Sequence, residues 1–318
     1  MVRRIVARAR PAGQTDNLRG MLAMMVAMIC LIGSDSLVKL TSERLPLGEI
    51  LFVRGLFMLA LMVPIAFVIH AWRPLRVVRE RYFILRILGE LFAVFFYFLA
   101  LFQMPLADVN ALIQFAPLAT MMAVAVFFGE PVGWRRWLAA VIGLVGVIAI
   151  IQPGGAGFTP YAFFVFGAVI GVTLRDIATR EMDRDVPSFF IALTTGVAVT
   201  MLGLALAPFE TWLVPNARDL LFLAISGFFL LGGYLLMIVA VRRGELSVVA
   251  PFRFTKVIWA ILVGYLVWGH VPNALASVGF ALVLGAGLYV FFRERALERR
   301  KRLRAGDATS SAQPAVAR

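Results

Sequence analysis

The 318 residues are 61% hydrophobic and only 15% charged, with a mean hydropathy of +0.89, which excludes a soluble globular domain and points to a polytopic membrane protein. A formal net charge of +13 would suit a nucleic-acid partner, but the loop Lys and Arg residues crowd onto one side of the apolar segments. That asymmetry signals orientation in a membrane and argues for lipid, with no nucleic acid, as the surrounding partner.

Residues 1–19 form a basic arm (Arg3, Arg4, Arg8, Arg10, Arg19) ahead of the first apolar run, 20–41. That run is long and contains no convincing small-x-small cleavage site before a soluble domain, so it reads as a retained span and not as a signal peptide. It holds Cys30, a lone thiol with no internal disulfide partner, and the stretch GSDSLVKL at 33–40. Asp35 and Lys39 there lie four residues apart and share a helical face. Lys39 is close enough to the helix end for its stem to snorkel to the interface, whereas Asp35 lies deeper. Span two, 47–69, carries Arg54 at a similar depth to Asp35.

The basic loop 70–82 leads to span three, 83–103, with Glu90 near its middle and a crowd of aromatics: Phe92, Phe95, Phe96, Tyr97 and Phe98. Most of these should face lipid or neighbouring helices; some are placed to stack on a flat heterocycle. Span four, 106–128, has Asn110 and Gln114 one turn apart, just before Pro117. Spans five, 135–152, and six, 158–176, are short, and the sixth ends on Asp176. Spans seven, 188–207, and eight, 219–241, follow. Span nine, 246–268, places Pro251 before Arg253 and Lys256. The two cations repel each other at i, i+3 and demand an anion, either Glu90 or a carboxylate or phosphate on a substrate. Each intramembrane charge costs about 2.5–3.5 kcal/mol to insert, so such residues mark function by default. After span ten, 274–292, the tail 293–318 is basic and then polar, and its last dozen residues read as disordered.

Ten spans put both termini on one side, and the arm, the loop 70–82 and the tail mark that side as cytoplasmic. Loops 103–108, 152–159 and 269–274 on the other side carry no Lys or Arg. Sliding the chain by 140 residues brings Ala100, Leu106, Val109 and Gly129 onto Ala240, Leu246, Val249 and Gly269 without a gap. Asp35-x3-Lys39 meets Asp176-x3-Arg180 at a slip of 141, and Ala139/Gly143 has a likeness in Ala281/Gly285. A repeat of five spans is inserted upside down in its second copy. The expected fold is therefore an all-α polytopic membrane protein of ten transmembrane helices in two inverted five-helix repeats, 20–152 and 153–292.

No phosphate-binding G-x-x-x-x-G-K-[ST] loop is present. His70 and His270 fall on opposite sides, so they share no metal and build no His-based catalytic set. The chain reads as a non-enzyme without metal or cofactor; a membrane enzyme would have to work with carboxylates and lysine alone.

The segments SDSLVKL with FVRG, ADVNALIQFAPLATMMAVAVFFGEPVGWRRWLAAVIGLVGVIAIIQPGG, and SVVAPFRFTKVIWAILVGYLVWGHVPN closely resemble the drug/metabolite transporter superfamily, EamA-type, over about residues 18–295. In pattern they are most similar to the branch of S-adenosylmethionine uptake proteins, with riboflavin uptake carriers as the neighbouring branch. The matching positions are Asp35, Lys39, Arg54, Pro251 and Arg253. Two departures stand out: repeat two has Gly269-His270 where repeat one has Gly129-Glu130, and Glu90 lies in a region that is usually apolar or small in this branch. The resemblance implies a secondary transporter of the bacterial inner membrane that moves a small organic metabolite by alternating access. Its cavity is expected between spans three, four, eight and nine. Lys256, Arg253, Arg54 and Gln114 would face the substrate there, with Glu90 balancing the cations. Asp35 would serve the outer gate and Asp176 its inner counterpart, with proton coupling through Asp35 or Glu90 left open. Uptake of a riboflavin- or S-adenosylmethionine-like solute stands beside efflux of an amino-acid-like product, and a membrane enzyme or binding protein is the remaining alternative. A homodimer is compatible with all of these.

Overall fold

The computed structural model describes residues 14–70, 73, 77–129, 132–154, 159–182, 186–243 and 246–311. The arm to residue 13, Glu130 and the last seven residues of the expected disordered tail lie outside them. Among the described residues there is no strand, and ten helices are long and apolar enough to cross a membrane. Lipid offers backbone groups no hydrogen-bond partners, so every crossing must be a closed helix of about 20 residues at 1.5 Å rise.

Span one is Gln14–Thr41, span two Leu47–Val68 and span three Arg81–Gln103. Span four is split into Leu106–Ile113 and Ala116–Phe128. Span five is Trp134–Ile151, span six Ala162–Glu181, span seven Ser188–Leu206 and span eight Ala217–Arg243. Span nine comprises Leu246–Val249, a tight 3-10 stretch Ala250–Phe254, and Thr255–Trp268. Span ten is Ala274–Ser311. Span six extends past the expected boundary at 176, so Asp176 lies within the helix and not at its end. Span ten likewise continues as helix through the arginine-rich segment to Ser311.

The helix pairing carries the repeat. Span one packs along span eight and span three along span six; two packs with seven, five with ten, and four with nine. Advancing each number by five turns the pair one–eight into six–three and returns the other three pairs to themselves, as a pseudo-twofold between inverted halves requires. Small residues let these backbones approach closely. A Cβ on Gly171 would run into the backbone of Ala93 in span three, so this contact admits no side chain. Between spans one and eight, the Ser34 hydroxyl donates to the Ser226 carbonyl at 3.0 Å and the Ser226 hydroxyl to the Ser34 carbonyl at 3.1 Å.

Spans four and nine are broken at corresponding places. Pro117 follows the break at 114–115 and Pro251 lies within the 3-10 stretch, because proline removes a backbone donor and clashes with the preceding turn. Both spans also stop on a left-handed glycine, Gly129 at φ +66° and Gly269 at φ +68°. Nothing lies near either glycine's missing side chain, so the conformation, and not crowding, calls for glycine.

These breaks shape the bundle between its two faces, here named terminal (the ends of spans one and ten nearest the chain termini) and distal. The distal part of span four, Leu106–Ile113, packs on Thr255–Trp268 of span nine. Toward the terminal face the two part company: Ala116–Phe128 lies against span six, and Leu246–Phe254 lies against span one. The main buried core, with Ile32, Leu51, Leu101, Leu106, Phe115 and Val257, holds the distal half together.

Candidate functional site

At the level of the breaks, Lys256 Nζ lies 3.1 Å from Asp35 Oδ2, joining span nine to span one. The Tyr97 hydroxyl of span three donates to the same Asp35 oxygen at 2.7 Å and lies 3.2 Å from Asn110 Oδ1 of span four. Asn110 spends an amide N–H on the Leu106 carbonyl of its own helix at 2.9 Å, which turns its Oδ1 toward Tyr97. Lys256 Nζ is also 5.6 Å from the Tyr97 ring centroid, within range for a cation–π contact. Four spans thus meet around one carboxylate.

Arg54 of span two is buried, 5% exposed, and its guanidinium has no hydrogen bond or ion pair among the described residues. It lies over the Phe98 ring at 4.9 Å, with Asp35 the charged group within its electrostatic reach. A guanidinium carries five donors and is always charged, so a buried one without an acceptor is equipped for an anion that arrives with a ligand. The Gln114 side chain, at the break in span four, is half-buried and also makes no hydrogen bond among the described residues.

A second charged cluster lies toward the terminal face. Arg175 of span six bonds Glu90 of span three at 3.2 Å and its neighbour Asp176 at 2.9 Å. Arg86, one turn before Glu90, donates to Thr195 Oγ1 at 2.8 Å. Arg253 is exposed, with Arg175 and Asp176 the charged groups within its reach. It lies in the first turn of the crossing part of span nine, toward the terminal face.

The distal face is sealed. Lys39 is 8% exposed and donates to the Leu101 carbonyl at 2.6 Å and to the Met104 carbonyl, neutralising the C-terminal end of span three. It also lies 5.8 Å from the Trp268 ring centroid of span nine. Arg44 pairs with Asp219 at 2.8 Å, Glu49 accepts the Leu213 amide at 2.9 Å, and Gln152 and Asn273 exchange side-chain hydrogen bonds between spans five and ten.

Several sequence expectations are corrected by this geometry. Glu90 does not balance Lys256 and Arg253; it faces span six and Arg175, and Asp35 is the partner of Lys256. Asp35 belongs to the central cluster and makes no pair with Lys39. Lys39 does not snorkel, because spans three and nine cover the end of span one. Asp176 pairs with Arg175, one residue away. Spans one and two join the expected spans three, four, eight and nine around the centre. Arg175, Arg86 and the hydroxyl of Tyr97 escaped the sequence reading; an arginine in an apolar run was the available signal for the first two. Among the described residues no group of three His, Cys, Asp or Glu side chains is placed to hold a metal.

The same architecture is found in known proteins. A solved crystal structure superposes with a TM-score of 0.58 at 20% identity, covering 88% of this chain and 98% of its own. An S-adenosylmethionine uptake transporter of Rickettsia felis is 22% identical over 291 residues, 89% of this chain and 96% of the relative. A pseudopaline exporter, CntI, of Pseudomonas aeruginosa is 26% identical over 279 residues, 84% and 94% respectively. The EamA-like transporter family matches twice, over residues 18–152 and 159–292, which are the two five-span repeats. This chain is therefore a multi-pass bacterial membrane protein and belongs to the EamA-like transporter family of drug/metabolite transporters.

Proposed function

We propose that this protein is a secondary transporter of a small zwitterionic, amino-acid-bearing metabolite of the S-adenosylmethionine kind, working by alternating access in the bacterial inner membrane. The observation that carries the reading is Arg54, a buried guanidinium without a hydrogen bond or ion pair among the described residues, beside the Asp35–Lys256 pair. A substrate carboxylate on Arg54 and a substrate ammonium near Asp35 use both signs of charge. S-adenosylmethionine carries both groups and riboflavin carries neither, so the first is preferred. Gln114 and Arg253 line the approach, Glu90 and Asp176 hold its terminal side, and Phe98 and Tyr97 present aromatic surface.

With the terminal face assigned to the cytoplasm by the basic arm and tail, the conformation described is inward-open: sealed beyond Lys39 and parted between spans four and nine. Efflux of an amino-acid-like product is the second reading, favoured by the 26% identity to the pseudopaline exporter. The test is uptake of labelled S-adenosylmethionine into vesicles reconstituted with the purified protein. Saturable uptake should fall at least a hundredfold in Arg54→Ala at equal protein content, with partial recovery in Arg54→Lys. Undiminished flux through Arg54→Ala would remove the carboxylate assignment, and chemical conversion of the solute would indicate an enzyme.

A further inference from the structure

We propose that the corner formed by Asp35, Tyr97 and Asn110 is an ammonium-binding subsite, and that Lys256 fills it in the empty protein in place of the substrate's own ammonium. This rests on the zwitterionic reading above and adds what that reading lacks, an account of how the unloaded carrier returns.

The corner has the three elements that a primary ammonium prefers. Asp35 supplies a carboxylate. The Tyr97 hydroxyl has a single proton, and the shorter contact, 2.7 Å against 3.2 Å, directs it to Asp35. Asn110 Oδ1 is then left as a neutral acceptor facing the corner, since its amide nitrogen is turned to the Leu106 carbonyl. The Tyr97 ring supplies an aromatic face. A lysine ammonium offers three donors. Lys256 makes one ion pair with Asp35 and no hydrogen bond to Asn110, so it occupies the corner without saturating it. A substrate ammonium that bonds Asp35 and Asn110 together can displace it. The flexible lysine stem then swings toward the substrate carboxylate, alongside Arg54.

The consequence concerns the cycle. Reorienting an unloaded carrier moves Asp35 through a water-poor bundle, where an unpaired carboxylate is strongly disfavoured. The pair with Lys256 is neutral, and so is the pair with a substrate ammonium. Both the empty and the loaded forms can therefore reorient, and the carrier performs net flux. Without the lysine, Asp35 keeps only Arg54 within electrostatic reach and has no ion pair, so the loaded form crosses far more readily than the empty one and exchange outpaces net flux.

Two measurements decide this. The first needs no substrate. In a Cys30→Ser background, Gln114→Cys reports the central space to a membrane-impermeant thiol reagent added to right-side-out or inside-out vesicles. With Lys256 present, labelling of the unloaded protein should proceed from both sides. Lys256→Gln should slow it at least tenfold from one side, and Lys256→Arg should restore it. Equal two-sided labelling in Lys256→Gln, or one-sided labelling with Lys256 present, overturns the proposal. The second compares labelled S-adenosylmethionine entering vacant vesicles with its entry into vesicles preloaded with unlabelled S-adenosylmethionine. Lys256→Gln should lose at least tenfold of the former and keep the latter within about threefold. Loss of both to the same extent makes Lys256 an ordinary binding residue and overturns the proposal. If the unaltered protein moves no S-adenosylmethionine, the substrate reading fails, while the labelling result still stands for the lysine.

Discussion

The two faces of the bundle differ: the distal one is sealed, and the terminal one is parted between spans four and nine beside a cluster of charges. The distal face is sewn across the molecule: Lys39 bridges spans one, three and nine through backbone carbonyls and a ring, and neutral Gln152 and Asn273 tie five to ten. The ion pairs of the terminal cluster, Glu90–Arg175–Asp176, stay within the single pair of spans three and six, while Arg86 of that cluster reaches Thr195 of span seven and spans four and nine diverge beside it. The Lys39 and Gln152–Asn273 bonds go to neutral acceptors and can be exchanged for water without leaving an unpaired carboxylate behind, although the same face also holds the Arg44–Asp219 ion pair. Ion pairs inside one rigid pair need not break when the bundle rocks. On the alternating-access reading proposed above, the distal seam is the one that opens and the Glu90–Arg175–Asp176 ion pairs travel intact.

Substitutions can break that contrast. Glu90→Ala should have the largest effect, on stability alone. Removing one partner of a buried ion pair costs about 3 kcal/mol, partly offset because Arg175 keeps Asp176. The thermal transition of the detergent-solubilised protein should fall, while the balance of labelling from the two faces stays put. A shifted balance would mean that the cluster spans the moving boundary after all. Lys39→Met should do the reverse, keeping the protein folded but raising distal labelling of the Gln114→Cys reporter roughly tenfold, the ratio that about 1.4 kcal/mol produces. No change there would remove Lys39 from the seam. Gln152→Ala breaks an exposed neutral exchange and should shift labelling about twofold, in line with a net hydrogen-bond contribution of about 0.5 kcal/mol. Arg44→Ala should be smallest, within ~0.5 kcal/mol in thermal denaturation, because the Arg44 side chain is 49% exposed and surface pairs contribute little. A larger loss would make the Arg44–Asp219 pair a principal contributor to the seal.

What the sequence made legible follows from how strongly lipid constrains a chain. All ten spans could be read because hydrocarbon imposes length and apolarity on each, and the repeat could be read because glycine is needed at both Gly129 and Gly269. The two prolines marked the breaks in spans four and nine. The intramembrane charges were visible too, and the repulsion between Arg253 and Lys256 required a nearby anion. Which anion was not legible. Asp35 and Glu90 both lie on apolar helices, and depth, tilt and rotation about the axis decide which of them Lys256 meets. Lys39 misled for a related reason: the snorkelling rule assumes lipid beside the helix end, and whether spans three and nine cover that end is a tertiary fact. Tyr97 was hidden in a run of aromatics, where one hydroxyl pointed inward looks like any other ring.

The serine exchange between spans one and eight has a bearing on how the protein is made. Ser34 emerges early in synthesis, yet the groups that satisfy it belong to Ser226, in the second half of the chain. Span three waits in the same way for span six, and Asp35 waits longest, for Lys256. The first repeat must therefore reside in the bilayer with its polar faces unmatched until the second is threaded in beside it. Neither half is a finished object, and a chain stopped between the repeats would present to the quality-control proteases of the membrane the polar stripes that the complete protein buries between its halves.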